Sequence, residues 1–380
     1  LAESLNKLRD AYYAEGDVEY AGRYLFSGYM TDTPLTYQSD ETAAKADFTI
    51  TQEFTRENIE LKTVYTNAYS NDDILNLNVK TDAATGNVIT PNVADVHRVR
   101  IGYTKVSDAG TFEIKLNDGT TIAAAAVNDS NYQPGDDEAA FNAATGEILL
   151  GENVYKQLYA SDGFSFTYRK DNFAKGDLNP VMYYDCVDNN PDNAGVVYTK
   201  KTEDIEYNIN FSQKLKVNTE ANEVFNMYLG RDIDDLITSV NNVIDIEAQL
   251  EKVEGMLKQD IYSDKDSQSK LNSIKEGLTK QNELAKEEMK NRFEYCVGTM
   301  QGYQEQASLA KADAGNRMTR LNLTKSRLTE QKTNFTNLKS ENEDIDLEEV
   351  VVGYSAAQLV YNASLTAASK VIQQTLLDFL

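Results

Sequence analysis

No proline occurs after Pro191, so the last 189 residues of this 380-residue chain (380 − 191) lack the one residue that breaks helix interiors. All five prolines, Pro34, Pro91, Pro134, Pro180 and Pro191, lie in the first half. Long helices are permitted throughout the second half, and the spacing of apolar residues decides where they form.

Val224, Leu229, Ile233, Leu236, Ile237, Val240, Val243, Ile244, Ala248 and Leu250 predict an amphipathic helix to about Leu257, followed by a polar break over Asp260–Asp266. From Leu271 the register runs through Ile274, Leu278, Gln281, Ala285, Met289, Phe293, Cys296, Met300, Tyr303, Ala307, Ala310, Ala314, Met318, Leu321, Lys325, Leu328, Lys332 and Phe335 to Leu338. Its mean step of about 3.5 residues is the coiled-coil period. One helix over roughly 266–340 is expected, with Gly277, Gly298, Gly302 and Gly315 as its weak points. After the acidic break Ser340–Asp346, Asp344 is the expected N-cap of a helix opening at Leu347, with Glu348 and Glu349 favourably placed in its first turn.

That last helix carries the stripe Leu347, Val350, Tyr354, Tyr361, Leu365, Ile372 and Phe379. From Val350 to Ser369 it has no charged residue. A helix facing water carries charge opposite its apolar stripe, so this one is suited to packing on more than one side. Those seven residues form a candidate assembly interface. The plainer alternative is a helix docked on its own domain.

The proline-bearing half reads as mainly β over residues 20–225. Val99–Val106 alternates as a half-buried strand, and Thr111–Leu116, Asn117-Asp118-Gly119 and Thr120–Ile122 form a hairpin pattern. Phe48–Ile50, Ile59–Val64, Gly163–Tyr168 and Ile205–Phe211 are further strands, while Phe141–Leu150 and Asn153–Tyr159 fit either type. Short strands joined by Asn, Asp and Gly turns suggest an antiparallel sandwich or barrel. Leu1, Leu5, Leu8 and Tyr12 share one helical face, and with no capping residue before Leu1 that helix is expected to begin upstream, in a longer protein.

The fold class is therefore α+β and multidomain: a long, coiled-coil-like helical bundle with an inserted antiparallel β-rich domain. The expected divisions are 1–29 (end of a helix and junction), 30–215 (β-rich insert), 216–343 (helical core segment) and 344–380 (assembly helix).

Composition narrows function. Sixty-one acidic against 37 basic side chains give a net charge of −24 (37 − 61), which opposes binding to nucleic acid or to an anionic membrane. No run approaches the length of a membrane span. One histidine and two cysteines leave little for metal or thiol chemistry. His97 lies at the start of a predicted strand, with no recognisable nucleophile, and reads as a surface or strand-edge residue. Asp188-Asn189-Asn190-Pro191-Asp192 opens like a calcium loop but lacks the required Gly and Glu, so it reads as an Asx-rich turn. Asp136-Asp137-Glu138 and Asp232, Asp234 and Asp235 read as solvated faces or helix starts. Cys296 falls in the apolar stripe and Cys186 in a loop after Tyr183-Tyr184. Phosphate-binding glycine loops are absent from the sequence, so no cofactor and no enzymatic activity are expected.

Four segments carry a family resemblance. Glu19 to Pro34 (EYAGRYLFSGYMTDTP), Lys216 to Phe225 (KVNTEANEVF), Ala314 to Leu321 (AGNRMTRL) and Ala367 to Leu380 (AASKVIQQTLLDFL) occur in order along the chain. Together they resemble the hook–filament junction proteins of the flagellin family. The first resembles the family's passage from an N-terminal helix into an inserted β-domain, and the second its return. The resemblance implies a non-enzymatic structural protein, exported through the flagellar channel and located outside the cell at the junction of hook and filament. It implies self-association in a ring, contacts with hook-side and filament-side axial proteins, and an export chaperone. It also implies an N-terminal helical region, pairing with the C-terminal helices, that this chain lacks. A filament subunit, or an acidic cell-surface adhesin with a β ligand-binding domain on a helical stalk, is the alternative.

Overall fold

The computed structural model describes residues 1–372 other than 194, 201, 212 and 345. Phe379 lies outside the described residues, as does the side chain of Ile372. The chain opens with helix α1 (Ala2–Ala14) and the two-residue strands β1 (Glu19–Tyr20) and β2 (Arg23–Tyr24). It continues through α2 (Asp40–Ala44), β3 (Phe48–Phe54), β4 (Ile59–Thr66), α3 (Asn71–Leu75), β5 (Asn92–Arg100), β6 (Phe112–Leu116) and β7 (Thr121–Ala126). Next come β8 (Ala139–Asn142), β9 (Glu147–Leu150), α4 (Glu152–Ala160), β10 (Phe164–Lys170), β11 (Asp185–Asp188) and β12 (Val197–Tyr198). The hairpin β13 (Glu206–Asn210) and β14 (Gln213–Lys216) precedes α5 (Ala221–Val224), α6 (Tyr228–Met256), α7 (Lys265–Glu343) and α8 (Leu347–Ile372). The protein is thus α+β, with its long helices in the proline-free half.

Two compact units form: Leu1–Ile205 with Lys216–Asp313, and Glu206–Leu215 with Ala314–Leu380. The first unit takes in residues from both sides of the divisions expected at 29 and 215, although one unit boundary does fall between Leu215 and Lys216. The reason lies in the first unit's core, where Tyr13 of α1 and Leu229 and Ile233 of α6 pack in the same cluster as Ile50, Ile114 and Phe166 of the sheet.

That sheet has ten strands in the order β12-β11-β3-β10-β6-β7-β8-β9-β5-β4. It replaces the expected sandwich or barrel with one continuous ladder. Its neighbours are antiparallel except β7 and β8, which run parallel. Alternation builds it: Phe48, Ile50 and Phe54 of β3, Ile114 of β6, and Phe164, Phe166 and Tyr168 of β10 are buried at every second position. Strands β8 and β9 are buried throughout. Ala139, Phe141, Ile148 and Leu150 join the main core, while Ala140 and Leu149 pack with Val64 and Val96 in a second cluster. The β6–β7 hairpin matches its pattern, with Gly119 at φ 90° in the turn. The strand expected over Val99–Val106 lies earlier, as β5, and ends at Arg100. The ambiguous stretch resolves into the β8–β9 pair and α4.

Helices α6 and α7 run antiparallel beside each other. Lys275 pairs with Glu254 at 2.7 Å and Lys286 with Glu247 at 2.7 Å, so numbers rise on one helix as they fall on the other. Between them Leu271, Ile274 and Leu278 bury against Val243, Ile246, Val253 and Met256. Helix α7 continues without a break through all four glycines. At Gly277 the absent side chain has a purpose, since an added Cβ would stand 2.2 Å from the ring of Tyr69.

The second unit holds the β13–β14 hairpin, the remainder of α7 and α8. Helix α8 starts at the expected Leu347, but Asp346 caps it, accepting the Glu348 N–H at 2.9 Å. The expected cap, Asp344, instead accepts a hydrogen bond from the Ser340 hydroxyl.

Candidate assembly surface

An apolar helix in water gains stability from packing far more than from propensity. Helix α8 is covered by little of its own chain. Leu347, Val350, Tyr354, Tyr361 and Leu365 of the expected stripe are all exposed, and so are Val351, Val352, Leu359 and Val360 on its other sides. Exposure therefore surrounds the helix, and the uncharged segment from Val350 to Ser369 lies wholly within it. The stripe of α7 changes in the same way. Leu271, Ile274, Leu278, Ala285 and Cys296 are buried in the first unit, whereas Met318, Leu321, Leu328, Phe335 and Leu338 are exposed in the second. A large exposed apolar surface of this kind marks a binding face. Among the described residues no helix is long and apolar enough to cross a membrane.

The first two motif segments, widely separated in sequence, meet in the first unit. Ser27 bridges to Glu220, and the Gly28 N–H donates to the Thr219 carbonyl at 3.2 Å. Gly28 has φ +60°, and a Cβ there would press on the Glu220 side chain at 3.2 Å, so glycine suits the crossing. Phe225 packs edge-on against Phe26 at 5.2 Å and Tyr12 at 5.3 Å between ring centres. The Tyr13 hydroxyl donates to the Asn226 carbonyl at 2.9 Å and accepts the Gly230 N–H at 2.9 Å. The chain thus leaves α1 and returns to α6 at one place, with the sheet inserted between.

A buried ionic network fastens α6 to the sheet. Arg98 and Arg100 stand two apart on β5 and so share a face. Arg100 donates to Asp232 at 2.8 Å and to Glu60 at 2.6 Å, and Arg98 donates to Asp235 at 2.6 Å and to Glu147. From α7, Tyr303 donates to Asp232 at 2.8 Å and Arg292 lies 3.7 Å from Asp235. Burial alone would raise the Asp235 pKa, but Arg98 and Arg100 outweigh it and hold the carboxyl well below its ordinary range. Glu147 is likewise held low against burial by Lys62 and Arg98. Asp234 goes the other way: burial raises it despite Arg231 and Arg9. The aspartates read from sequence as a solvated face or helix start are thus ion-paired, and Asp232 is 1% exposed. The signal that could have found them is the Arg-x-Arg spacing on a strand together with three aspartates in the first turns of a helix.

Other expected sites resolve locally. His97 is in the middle of β5, between β4 and β9, not at a strand start or sheet edge. Its ring stacks on Tyr155 at 3.5 Å, and Nε2 is 3.7 Å from Glu152. Asp188 and Asn190 form successive Asx turns, accepting the N–H groups of Asn190 and Asp192 at 2.9 and 3.0 Å. Asp137 accepts from the Asn153 side chain and Glu138 from Tyr132, at 2.8 and 2.7 Å. Cys186 is in strand β11, not a loop; it is buried, and burial pushes its thiol up to about 12. Burial pushes the Cys296 thiol up to about 11. Both are poor nucleophiles.

No protein-family model, curated protein or solved structure matches the chain.

Proposed function

We propose that this protein is a non-enzymatic structural component of the bacterial flagellum, a hook-associated junction protein that links hook to filament outside the cell. In this reading α8 and the second-unit part of α7 form the assembly seam, and the sheet domain is displayed from the helical frame. Its partners are further copies of itself in a ring, the axial proteins on either side, and an export chaperone.

The observation that carries this reading is the exposure of Leu347, Val350, Tyr354, Tyr361 and Leu365 on a helix uncharged from Val350 to Ser369. Such a helix gains its packing energy from neighbours. The insertion of a sheet domain at the meeting of Ser27–Gly28 and Thr219–Glu220 agrees with the roles assigned to the two resembling segments. The test is electron microscopy of cells lacking the gene. Hooks without filaments are expected, and normal filaments would sink the assignment.

A further inference from the structure

The ten-stranded sheet ends differently on its two sides. At one edge β12 is two residues long, too short to recruit another strand. At the other, β4 runs for eight residues without a proline. Its pairing decides which backbone groups point outward. Just past β5, the Ile101 N–H donates to the Gly146 carbonyl at 3.0 Å, so odd-numbered residues on this strand bond toward β9 and even-numbered ones toward β4. Glu60, Lys62 and Val64, opposite Arg98, Val96 and Ala94, therefore bond to β5. Leu61, Thr63 and Tyr65 turn their N–H and C=O groups away from the sheet. The Tyr65 N–H agrees, since it donates to the Asn131 side-chain oxygen at 3.2 Å.

This edge is open over a short window. At one end the Ile59 N–H is spent on the Arg56 carbonyl, and at the other the Tyr65 N–H is spent on Asn131. Between them, among the described residues, no hydrogen bond reaches the outward N–H and C=O groups of Leu61 and Thr63. Leu61, at the centre, is 58% exposed. An unpaired edge of this kind is a template for one more strand.

The window is its own complement. Two antiparallel copies must set outward residues opposite outward residues, which leaves only a few symmetric registers. With the two-fold axis at Leu61, each Leu61 exchanges both backbone bonds with Leu61 of the second copy. Each Thr63 N–H then donates to the free Ile59 carbonyl of the second copy. Glu60 comes to lie opposite Lys62 of the second copy, acid against base. They meet on the face where Glu60 accepts from Arg100 at 2.6 Å and Lys62 donates to Glu147 at 2.7 Å. Moving the axis one residue either way sets Lys62 against Lys62 or Glu60 against Glu60, and like charges directly opposite are unfavourable. Charge thus selects the Leu61 register. We propose that two copies of this chain join edge to edge through β4, antiparallel about Leu61, so that one sheet runs through both. This contact is separate from the α8 seam.

Pairing over so short a window is weak, with a dissociation constant on the order of 100 µM, and it is silent at the low-micromolar concentrations where association through α8 is followed. The experiment uses the full chain carrying Leu365→Asp, so that the seam does not contribute. Sedimentation equilibrium and residue-resolved amide exchange are compared at about 5 µM and about 1 mM. A dimer should form at the higher concentration, and the Leu61 and Thr63 amides should slow at least about threefold. The Glu60 and Lys62 amides, bonded to β5, should exchange slowly at both. Leu61→Lys and Leu61→Glu each place like charges at the axis and should each weaken dimerisation at least about tenfold. Both should keep the parent's melting temperature, because the site is exposed. An equimolar mixture of the two should dimerise again, since the introduced lysine then faces the introduced glutamate. A chain that stays monomeric at the higher concentration overturns the proposal. So does a dimer whose Leu61 and Thr63 amides still exchange fast, or a mixture that associates no better than either variant alone.

Discussion

Arg100 on strand β5 and Asp232 on helix α6 meet at 2.8 Å with both residues at least 97% buried. Removing one member of a buried pair strands the other's charge, which costs about 3–5 kcal/mol. Asp232→Ala should therefore lower the unfolding free energy by about that amount, measured by urea denaturation. Arg100→Met with Asp232→Leu, which removes both charges of this contact and leaves Glu60 and Asp235 to Arg98, should recover part of the loss. A double variant as unstable as the single would mean that packing rather than charge holds this contact.

The same network sets the acid limit of stability. Asp235 is held below its ordinary pKa in the folded chain by Arg98 and Arg100, against burial. A carboxyl lowered on folding contributes stability that is complete above about pH 5 and is lost as pH falls through about 4 toward the folded value. Glu147 adds in the same direction, and Asp234, raised by burial, subtracts from it. Stability measured from pH 6 down to 2.5 should fall steeply in the natural protein and less steeply in Asp235→Asn. Equal slopes would show that the acid response arises elsewhere.

Much of this was legible in the sequence and some was not, for physical reasons. Helix α7 was readable because its stripe from Leu271 to Leu338 keeps one period through four glycines. The β6–β7 hairpin was readable because Asp118-Gly119 demands one kind of turn. The parallel pairing of β7 with β8 was not, since nothing local in Ala124–Ala126 or Ala139–Phe141 names a partner strand. The burial of Asp232 was hidden because an acidic helix start is ordinarily solvated, and only the fold brings Arg100 over it. The stripe of α8 was legible, but its exposure on every side needed the structure.

Two glycines of one helix should respond oppositely to alanine. At Gly277 a methyl group meets the Tyr69 ring at 2.2 Å, and Tyr69 is buried. Overpacking of that kind costs about 1–3 kcal/mol, more than the helix gains. At Gly298 an added Cβ meets nothing within 4 Å. Gly298→Ala should stabilise by up to about 1 kcal/mol. Thermal melts of the two variants should move apart, and a stable Gly277→Ala protein would show that Tyr69 yields easily.

His97 should matter to stability and not to function. Its stacking on Tyr155 joins β5 to α4, and such pairs are worth about 0.5–1.5 kcal/mol beyond area burial. His97→Ala should lower stability on that scale, and His97→Phe should restore most of it. Motility and filament assembly should be unchanged in both. A motility defect in a stably folded His97→Ala protein would assign this residue a role beyond packing.

The sharpest prediction concerns Leu365 on α8, which is 53% exposed in the single chain. A substitution at an exposed site away from any packed feature changes stability by about 0.5 kcal/mol or less. Leu365→Asp should therefore leave urea unfolding of the first unit unaltered. In an assembled seam the same side chain is enclosed, and a carboxylate there costs several kcal/mol unless it is protonated or paired. Self-association, followed by sedimentation velocity, should be lost, and a strain carrying only Leu365→Asp should show hooks without filaments. Leu365→Met, which keeps volume and apolarity, should behave as the natural protein does. If Leu365→Asp protein joins the hook tip normally, the seam lies on another face of α8.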